Sequence, residues 1–115
     1  MNELTIFEFQ SERAVRFVTD ADGLIWVAAA DVCAALDLKN VGDAIDRLDD
    51  DEKRDDIVTN DVIGRQQTIW FVNESGLYTL ILTSRKPEAK AFKRWITHDV
   101  LPAIARQGFY GTPQL

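Results

Sequence analysis

The cations between residues 85 and 94 have the types and spacing that could bind a polyanion. Lys86, Lys90 and Lys93 follow one another at the i, i+4, i+7 spacing of one helix face. Such a face presents its ammonium groups along about 10 Å of one edge, where they can neutralise backbone phosphates of a nucleic acid. Arginine is the side chain that forms a forked pair with guanine, and two arginines flank these lysines. We name the five cations the basic stripe: Arg85, Lys86, Lys90, Lys93 and Arg94.

Two predicted helices position the basic stripe. Asn73 has the residue type of an N-cap and opens a helix predicted over residues 73–84, with Leu77, Leu80 and Ile81 on its apolar face. Pro87 is predicted to begin a second helix, because its missing N–H costs nothing at the first helical position. The apolar face of this second helix consists of Phe92, Trp95 and Ile96, which leaves the basic stripe on the opposite face.

Proline is expected to interrupt the second helix. The ring of Pro102 would clash with the carbonyl four residues earlier, so the helix should end or kink there. One more turn is expected over residues 103–106 before Gly108 stops it. Residues 1–108 are therefore predicted to form the domain, and residues 109–115 a flexible tail.

Charge is segregated along the chain. The formal net charge is −6, which argues against a general polyanion binder. Residues 46–61 contain eight acids and three bases, whereas residues 85–106 contain six bases and two acids. Because local potential decides whether a phosphate backbone can dock, the acidic total weakens a nucleic-acid hypothesis without removing it.

Composition bounds the class of protein. A chain of 115 residues is long enough for one domain with its own core. A single cysteine, Cys33, cannot form an internal disulfide and suits a reducing cytoplasm, so a cytoplasmic location is expected. No apolar run approaches the roughly 20 residues that a membrane-spanning helix needs, and membrane association is not expected.

The first half of the chain predicts strands followed by helices. Strands are predicted near residues 4–9, 14–18 and 24–27, with a turn at residues 20–23. These three strands are expected to form an antiparallel sheet at the start of the chain. Residues 28–36 and the segment capped by Asn40 predict two short helices. This pair has the outline of a helix-turn-helix, but its second helix exposes Asp43 and Asp46 beside Arg47. An αα-hairpin that covers the sheet is the better interpretation.

The middle of the chain predicts a loop and a hairpin. Residues 47–56, RLDDDEKRDD, are too polar to bury and are interpreted as a solvated linker or loop. Strands at residues 57–58 and 68–72 then flank a reversal near residues 64–67. Arg65 lies in this polar tip and is a lesser candidate for contact with DNA. The expected fold class is α+β, a small mainly antiparallel sheet packed with four or five short helices.

The segment VNESGLYTLILTSRKPEAKAFKRWITHDVLPAI closely resembles the end of the Bro-N domain, the N-terminal module of baculovirus BRO proteins and phage or prophage antirepressors. Upstream, WVAAADVCAALDLKN, DAIDRLDDDEK and FEFQSERAVRFV resemble earlier blocks of that family. The resemblance implies an α+β DNA-binding domain that regulates transcription in viruses and prophages. Asp37 departs from the family, which commonly has a glycine there, and a second domain after Leu115 is not expected.

Two functions remain open at this point. The first is a DNA-binding regulatory domain that docks to double-stranded DNA through the basic stripe. The second is a protein-interaction module that captures a repressor through an acidic surface and the anchors Trp70, Trp95 and Tyr110, without binding DNA. Whether two copies pair as a homodimer is also open.

Catalysis is not expected. The single histidine, His98, adjoins Asp99, and neighbours on a helix do not face each other as a catalytic pair would. The chain has no glycine-rich phosphate loop and no metal-ligand spacing, so neither a cofactor nor a metal is expected.

Overall fold

The computed structural model describes residues 3–10, 12–60 and 65–106. Five strands form one sheet in the order β1-β2-β3-β5-β4, and every neighbouring pair is antiparallel. The strands are β1 Glu3–Phe9, β2 Arg13–Thr19, β3 Ile25–Ala28, β4 Lys53–Asn60 and β5 Arg65–Asn73. The helices are α1 Ala29–Ala35, α2 Val41–Asp46, α3 Glu74–Thr83, α4 Pro87–Trp95 and α5 Leu101–Arg106. The predicted α+β class is confirmed. The predicted tail, residues 109–115, lies outside the described residues.

The main core lies between one face of the sheet and the helices. Strand alternation turns Val15, Phe17 and Val27 toward the helices, and all three are buried. The predicted inward stripe Leu77, Leu80 and Ile81 of α3 is also buried in this core. Helix α1 packs against β2, β3 and β5, so the interpretation of α1 as a cover for the sheet is confirmed, and α2 packs against α1.

The opposite face of the sheet carries a second, smaller cluster. Val18, Trp26 and Phe71 are buried there. The guanidinium of Arg54 lies 4.5 Å from the centre of the Trp26 ring, a cation–π contact that covers the indole. The indole Nε1 donates a hydrogen bond of 2.9 Å to Asp20. This face therefore shields its aromatic residues with charged side chains instead of a helix.

The segment RLDDDEKRDD is structured, and its interpretation as a solvated linker or loop is wrong. Leu48 is buried, Asp50–Glu52 form a 3₁₀ helix, and β4 begins at Lys53. Glu52 is buried because hydrogen bonds from Ser75, Thr79 and the Asp49 N–H satisfy its carboxylate. The charged residues that follow suit an edge strand, where one side of the backbone faces water.

Pro102 does not end the last helix. The N–H of Leu101 bonds to the carbonyl of Ile96, five residues earlier, within a π-helical turn that spans Ile96–Val100. This widened turn accommodates the proline, which has no N–H of its own to offer. The helical path therefore continues from Pro87 through α5 to Arg106.

The β4–β5 hairpin is longer than the sequence predicted. Its strands pair from Lys53 and Val72 at one end to Asn60 and Arg65 at the other. Residues 65–67, placed near the reversal by the sequence, belong to β5. Residues 61–64 lie outside the described part of the chain.

Candidate nucleic-acid interface

Helix α4 is fixed by its apolar side. Pro87 occupies the first turn, as predicted, and Ala89 and Phe92 are buried. Trp95 packs with the rings of Phe9 and Phe92, at centroid distances of 5.1 and 5.6 Å. These contacts hold α4 over the β1–β2 side of the sheet. The opposite side of the helix consequently faces solvent.

The exposed side of α4 carries the basic stripe. Lys90, Lys93 and Arg94 lie on α4 itself, Lys86 is its N-cap and Arg85 precedes it; all five residues are exposed. At 100° per residue, the four from Lys86 to Arg94 fall within one face. In the described part of the chain, Arg85, Lys90, Lys93 and Arg94 form no ion pair. Four cations are thus available to an external anion.

Lys86 is already engaged. Its Nζ lies 2.7 Å from a carboxylate oxygen of Asp37 and 2.9 Å from the Asp37 carbonyl oxygen. Asp37 adopts a left-handed backbone with φ of 56°, at the position that follows α1. The hydrogen bond from Lys86 and its charge lower the pKa of the Asp37 carboxyl. One carboxylate therefore lies within the positively charged surface.

Two further cations approach the same carboxylate. The charges of Lys39 and Arg13 also lower the pKa of Asp37, and both side chains are exposed. Lys39 is two residues from Asp37 in the sequence, whereas Arg13 begins β2 and acts on Asp37 only through tertiary folding. No periodicity in the sequence could have grouped them. We name the basic stripe together with Arg13 and Lys39 the basic surface.

Arg65 is not brought to α4 by any described contact. It is the first residue of β5, paired with Asn60 in the β4–β5 hairpin. Its side chain lies outside the described residues. The candidate contact through Arg65 remains a prediction.

The π-helical turn continues the exposed side of α4. The Thr97 hydroxyl donates to the carbonyl of Lys93 at 3.0 Å. His98 Nδ1 lies 3.0 Å from the carbonyl of Arg94, and because a carbonyl only accepts, this nitrogen is the donor. These side chains satisfy carbonyls next to the wide turn, so the helix stays ordered beside two members of the basic stripe.

The NESGLY motif has a structural role in this chain. Asn73 caps α3 by accepting a hydrogen bond of 2.9 Å from the Gly76 N–H. Ser75 donates to the Glu52 carboxylate, and this bond, followed by the one from the Asp49 N–H, lowers the pKa of Glu52. A Cβ on Gly76 would lie 2.8 Å from the Glu52 carbonyl oxygen. The motif therefore docks α3 closely against the 3₁₀ helix.

Many of the exposed acidic side chains lie on α2, the 3₁₀ helix and β4, although Glu88 of α4 and Asp99 of the π-helical turn are exposed as well. Asp43 and Asp46 are exposed on α2, Asp50 and Asp51 on the 3₁₀ helix, and Asp55 on β4. Strand β4 is the sheet edge opposite β1, whereas α4 packs its aromatic residues against β1 and β2. The acidic strand β4 and the strands that α4 covers therefore lie at opposite edges of the sheet.

Among residues 3–10, 12–60 and 65–106, no three His, Cys, Asp or Glu side chains are grouped as metal ligands would be. Over the same ranges, no helix combines the length and the apolar character that a bilayer crossing requires.

Comparison with known proteins identifies the family. The model of the BRO family N-terminal domain, Bro-N, matches residues 14–102. The chain belongs to the Bro-N family. The match includes β2 to β5, α1 to α4 and therefore the whole basic stripe.

Relatives of this Bro-N domain occur in a bacterium and in a giant virus. An uncharacterized protein of Haemophilus influenzae is 34% identical over 110 residues, which cover 94% of this chain and 53% of that protein. The uncharacterized Bro-N domain-containing protein L2 of Acanthamoeba polyphaga mimivirus is 31% identical over 118 residues, covering 91% of this chain and 48% of that protein. The chain thus spans about half the length of these relatives. No solved structure matches it.

Proposed function

We propose that this Bro-N domain is the DNA-binding regulatory part of a phage or prophage antirepressor-like protein. The basic surface docks against the phosphate backbone of double-stranded DNA. The observation that carries the proposal is the exposure of Lys90, Lys93 and Arg94 on one face of α4, without an ion pair in the described part of the chain. Family membership supports it, because BRO proteins and phage antirepressors use this module at their N-terminus.

The distribution of charge supports docking in one orientation. DNA approaching α4 meets cations, whereas an approach to α2, the 3₁₀ helix or β4 meets carboxylates. Repulsion from the acidic side lowers non-specific contact elsewhere on the molecule and orients the encounter. The net charge of −6 is therefore compatible with DNA binding through one surface.

Lysines and arginines have different roles in this proposal. Lys90 and Lys93 act as point charges on phosphates, which gives affinity without sequence preference. Arg94 and Arg85 are planar donors at the edge of the stripe and are the candidates for contact with guanine. Affinity should fall steeply with salt, because phosphate contacts release counterions.

The alternative function is capture of a repressor without DNA binding. One of the three aromatic residues proposed to contact the repressor has a different role in the structure. Trp95 packs among Phe7, Phe9, Phe17 and Phe92 and serves the core. Tyr110 lies outside the described residues. Trp70 is 40% exposed and remains a candidate anchor on a different part of the molecule.

Fluorescence anisotropy with a labelled random-sequence duplex, at about 50 and about 200 mM salt, tests the proposal. Lys90→Glu and Lys93→Glu together should weaken binding at the lower salt by about tenfold or more, since two phosphate contacts become repulsive. Arg47→Glu reverses an exposed charge on the acidic side and is the control, with affinity close to that of the wild type. A flat titration at both salt concentrations, or equal affinity of all variants, would exclude this function.

A further inference from the structure

A cleft lies next to the end of β3, the central strand of the sheet. Strand β3 ends at Ala28, which pairs with Phe71, and the chain then turns into α1. Strand β5 has nine residues, but β3 pairs only with Phe71, Val72 and Asn73. The next residues of β5, Gln67 to Trp70, pair with β4 on one side, and among the described residues no strand pairs with them on the other.

The unpaired edge faces a cleft of about 510 Å³. Residues Gln67 to Trp70 form one wall, and Arg16 of β2 lies on the other side. Ala30 of α1 and Val41 of α2 complete the lining. Trp70 is 40% exposed, whereas a tryptophan at the centre of a covered sheet would be buried.

The two strands that line the cleft differ in whether their backbone can form hydrogen bonds with an added strand. On the β2 side, the N–H of Arg16 already donates to the Asp31 carboxylate at 2.9 Å. The same carboxylate binds the Arg16 guanidinium through Nε and Nη2, at 2.9 and 3.1 Å. On the β5 side, none of the described hydrogen bonds joins a side chain to the backbone in this way. A segment entering the cleft can therefore form a β ladder with β5 only.

We propose that this cleft binds an extended segment of a partner protein, which adds to β5 as an antiparallel strand. The segment takes the position that β3 would occupy if it continued past Ala28. Main-chain hydrogen bonds to Gln67–Trp70 supply affinity, and alternate apolar side chains contact Trp70 with Val41 on one face and Ile69 on the other.

Charge around the cleft selects a basic segment and disfavours DNA. Arg16 is neutralised by Asp31, whereas the exposed Asp55 lies directly across the ladder from Trp70. This rim attracts lysine or arginine on either side of an apolar core and repels phosphates. The lining of the cleft shares no residue with the basic surface.

The probe is a fluorescent peptide, KKTVTITVKK, with an acid-flanked version, EETVTITVEE, and a version N-methylated at alternate residues as controls. The basic peptide should bind, and either control should bind about tenfold more weakly, since one loses charge complementarity and the other loses ladder hydrogen bonds. Trp70→Ser should weaken binding about tenfold as well, whereas Leu82→Ser, at a side chain that is 79% exposed and outside the cleft lining, should not.

Amide hydrogen exchange separates strand addition from adhesion to the surface. In the free protein, the two amides of Gln67–Trp70 that point into the cleft should exchange rapidly, because no described strand pairs with them on that side. Saturating basic peptide should slow them by about tenfold or more. No protection by the peptide, equal binding of the N-methylated peptide, or equal protection by a random duplex would each overturn the proposal.

Discussion

The ammonium of Lys86 lies 2.7 Å from the carboxylate of Asp37 and ties the start of α4 to the end of α1. Asp37 ends α1 in a left-handed conformation: its N–H bonds to the carbonyl of Ala34, and the N–H of Leu38 to that of Cys33. Glycine is the usual residue at such a position, but aspartate tolerates it. The aspartate thus connects two helices at the cost of placing a negative charge in the basic surface.

Neutralising Asp37 should therefore strengthen DNA binding. Asp37→Asn keeps a residue that tolerates the left-handed backbone, removes one repulsive charge and removes the ion pair of Lys86, which keeps its hydrogen bond to the backbone carbonyl. We expect affinity for a random duplex to rise about threefold at low salt, with little change in the thermal midpoint of unfolding. Asp43→Asn, which removes an exposed charge outside the basic surface, is the control. Unchanged or weaker binding of Asp37→Asn would show that this carboxylate does not face the DNA.

Glu52 should make folding stability depend on pH. Hydrogen bonds from Ser75 and the Asp49 N–H lower its pKa below the ordinary value of 4.5, so the folded state favours the carboxylate. This contribution is complete above the unfolded pKa and is lost as pH falls through the lowered folded value. Glu52→Gln should reduce the free energy of unfolding by about 1–3 kcal/mol at neutral pH, and by less in acid.

Urea unfolding as a function of pH measures this difference. Asp50→Asn, an exposed neighbour in the same 3₁₀ helix, should show a much smaller change at neutral pH. A constant difference between wild type and Glu52→Gln from neutral to acidic pH would contradict the assignment of the lowered pKa to Glu52.

The two helical glycines should respond in opposite ways to alanine. Gly76→Ala places a Cβ 2.8 Å from the Glu52 carbonyl oxygen, and since backbone must move to admit it, we expect a loss of about 1–3 kcal/mol. Gly42→Ala meets only the Asn40 side chain at 3.5 Å, an ordinary contact, and should stabilise α2 by up to about 1 kcal/mol. Urea unfolding of both variants checks the pair. Equal effects would mean that α3 does not pack as closely as described.

Local signals were sufficient to predict the helices around the basic stripe. Asn73 caps α3 and Pro87 begins α4, as their side-chain chemistry requires, and the apolar residues of both helices are buried. Alternation and turn residues likewise predicted β1, β2 and β3. In each case the decisive interactions join residues only a few positions apart.

The rest required tertiary information. The charged residues at the start of β4 have the composition of a loop. They form a strand because they pair with β5, and the preceding Glu52 is buried because Ser75 donates a hydrogen bond to it. The π-helical turn before Pro102 depends on hydrogen bonds that local propensity does not encode. Arg13 joins the basic surface because β2 lies near Asp37 in the fold. Sequence spacing therefore found the stripe but not the full surface.

The salt dependence of DNA affinity tests the central claim most directly. The logarithm of the DNA association constant should fall with the logarithm of the salt concentration. The slope should be shallower by about 2 in the double variant Lys90→Gln, Lys93→Gln than in the wild type, because each lost phosphate contact reduces the slope by about 1. Arg47→Gln should leave the slope unchanged. If the double variant retains the wild-type slope, α4 is not the surface that meets DNA.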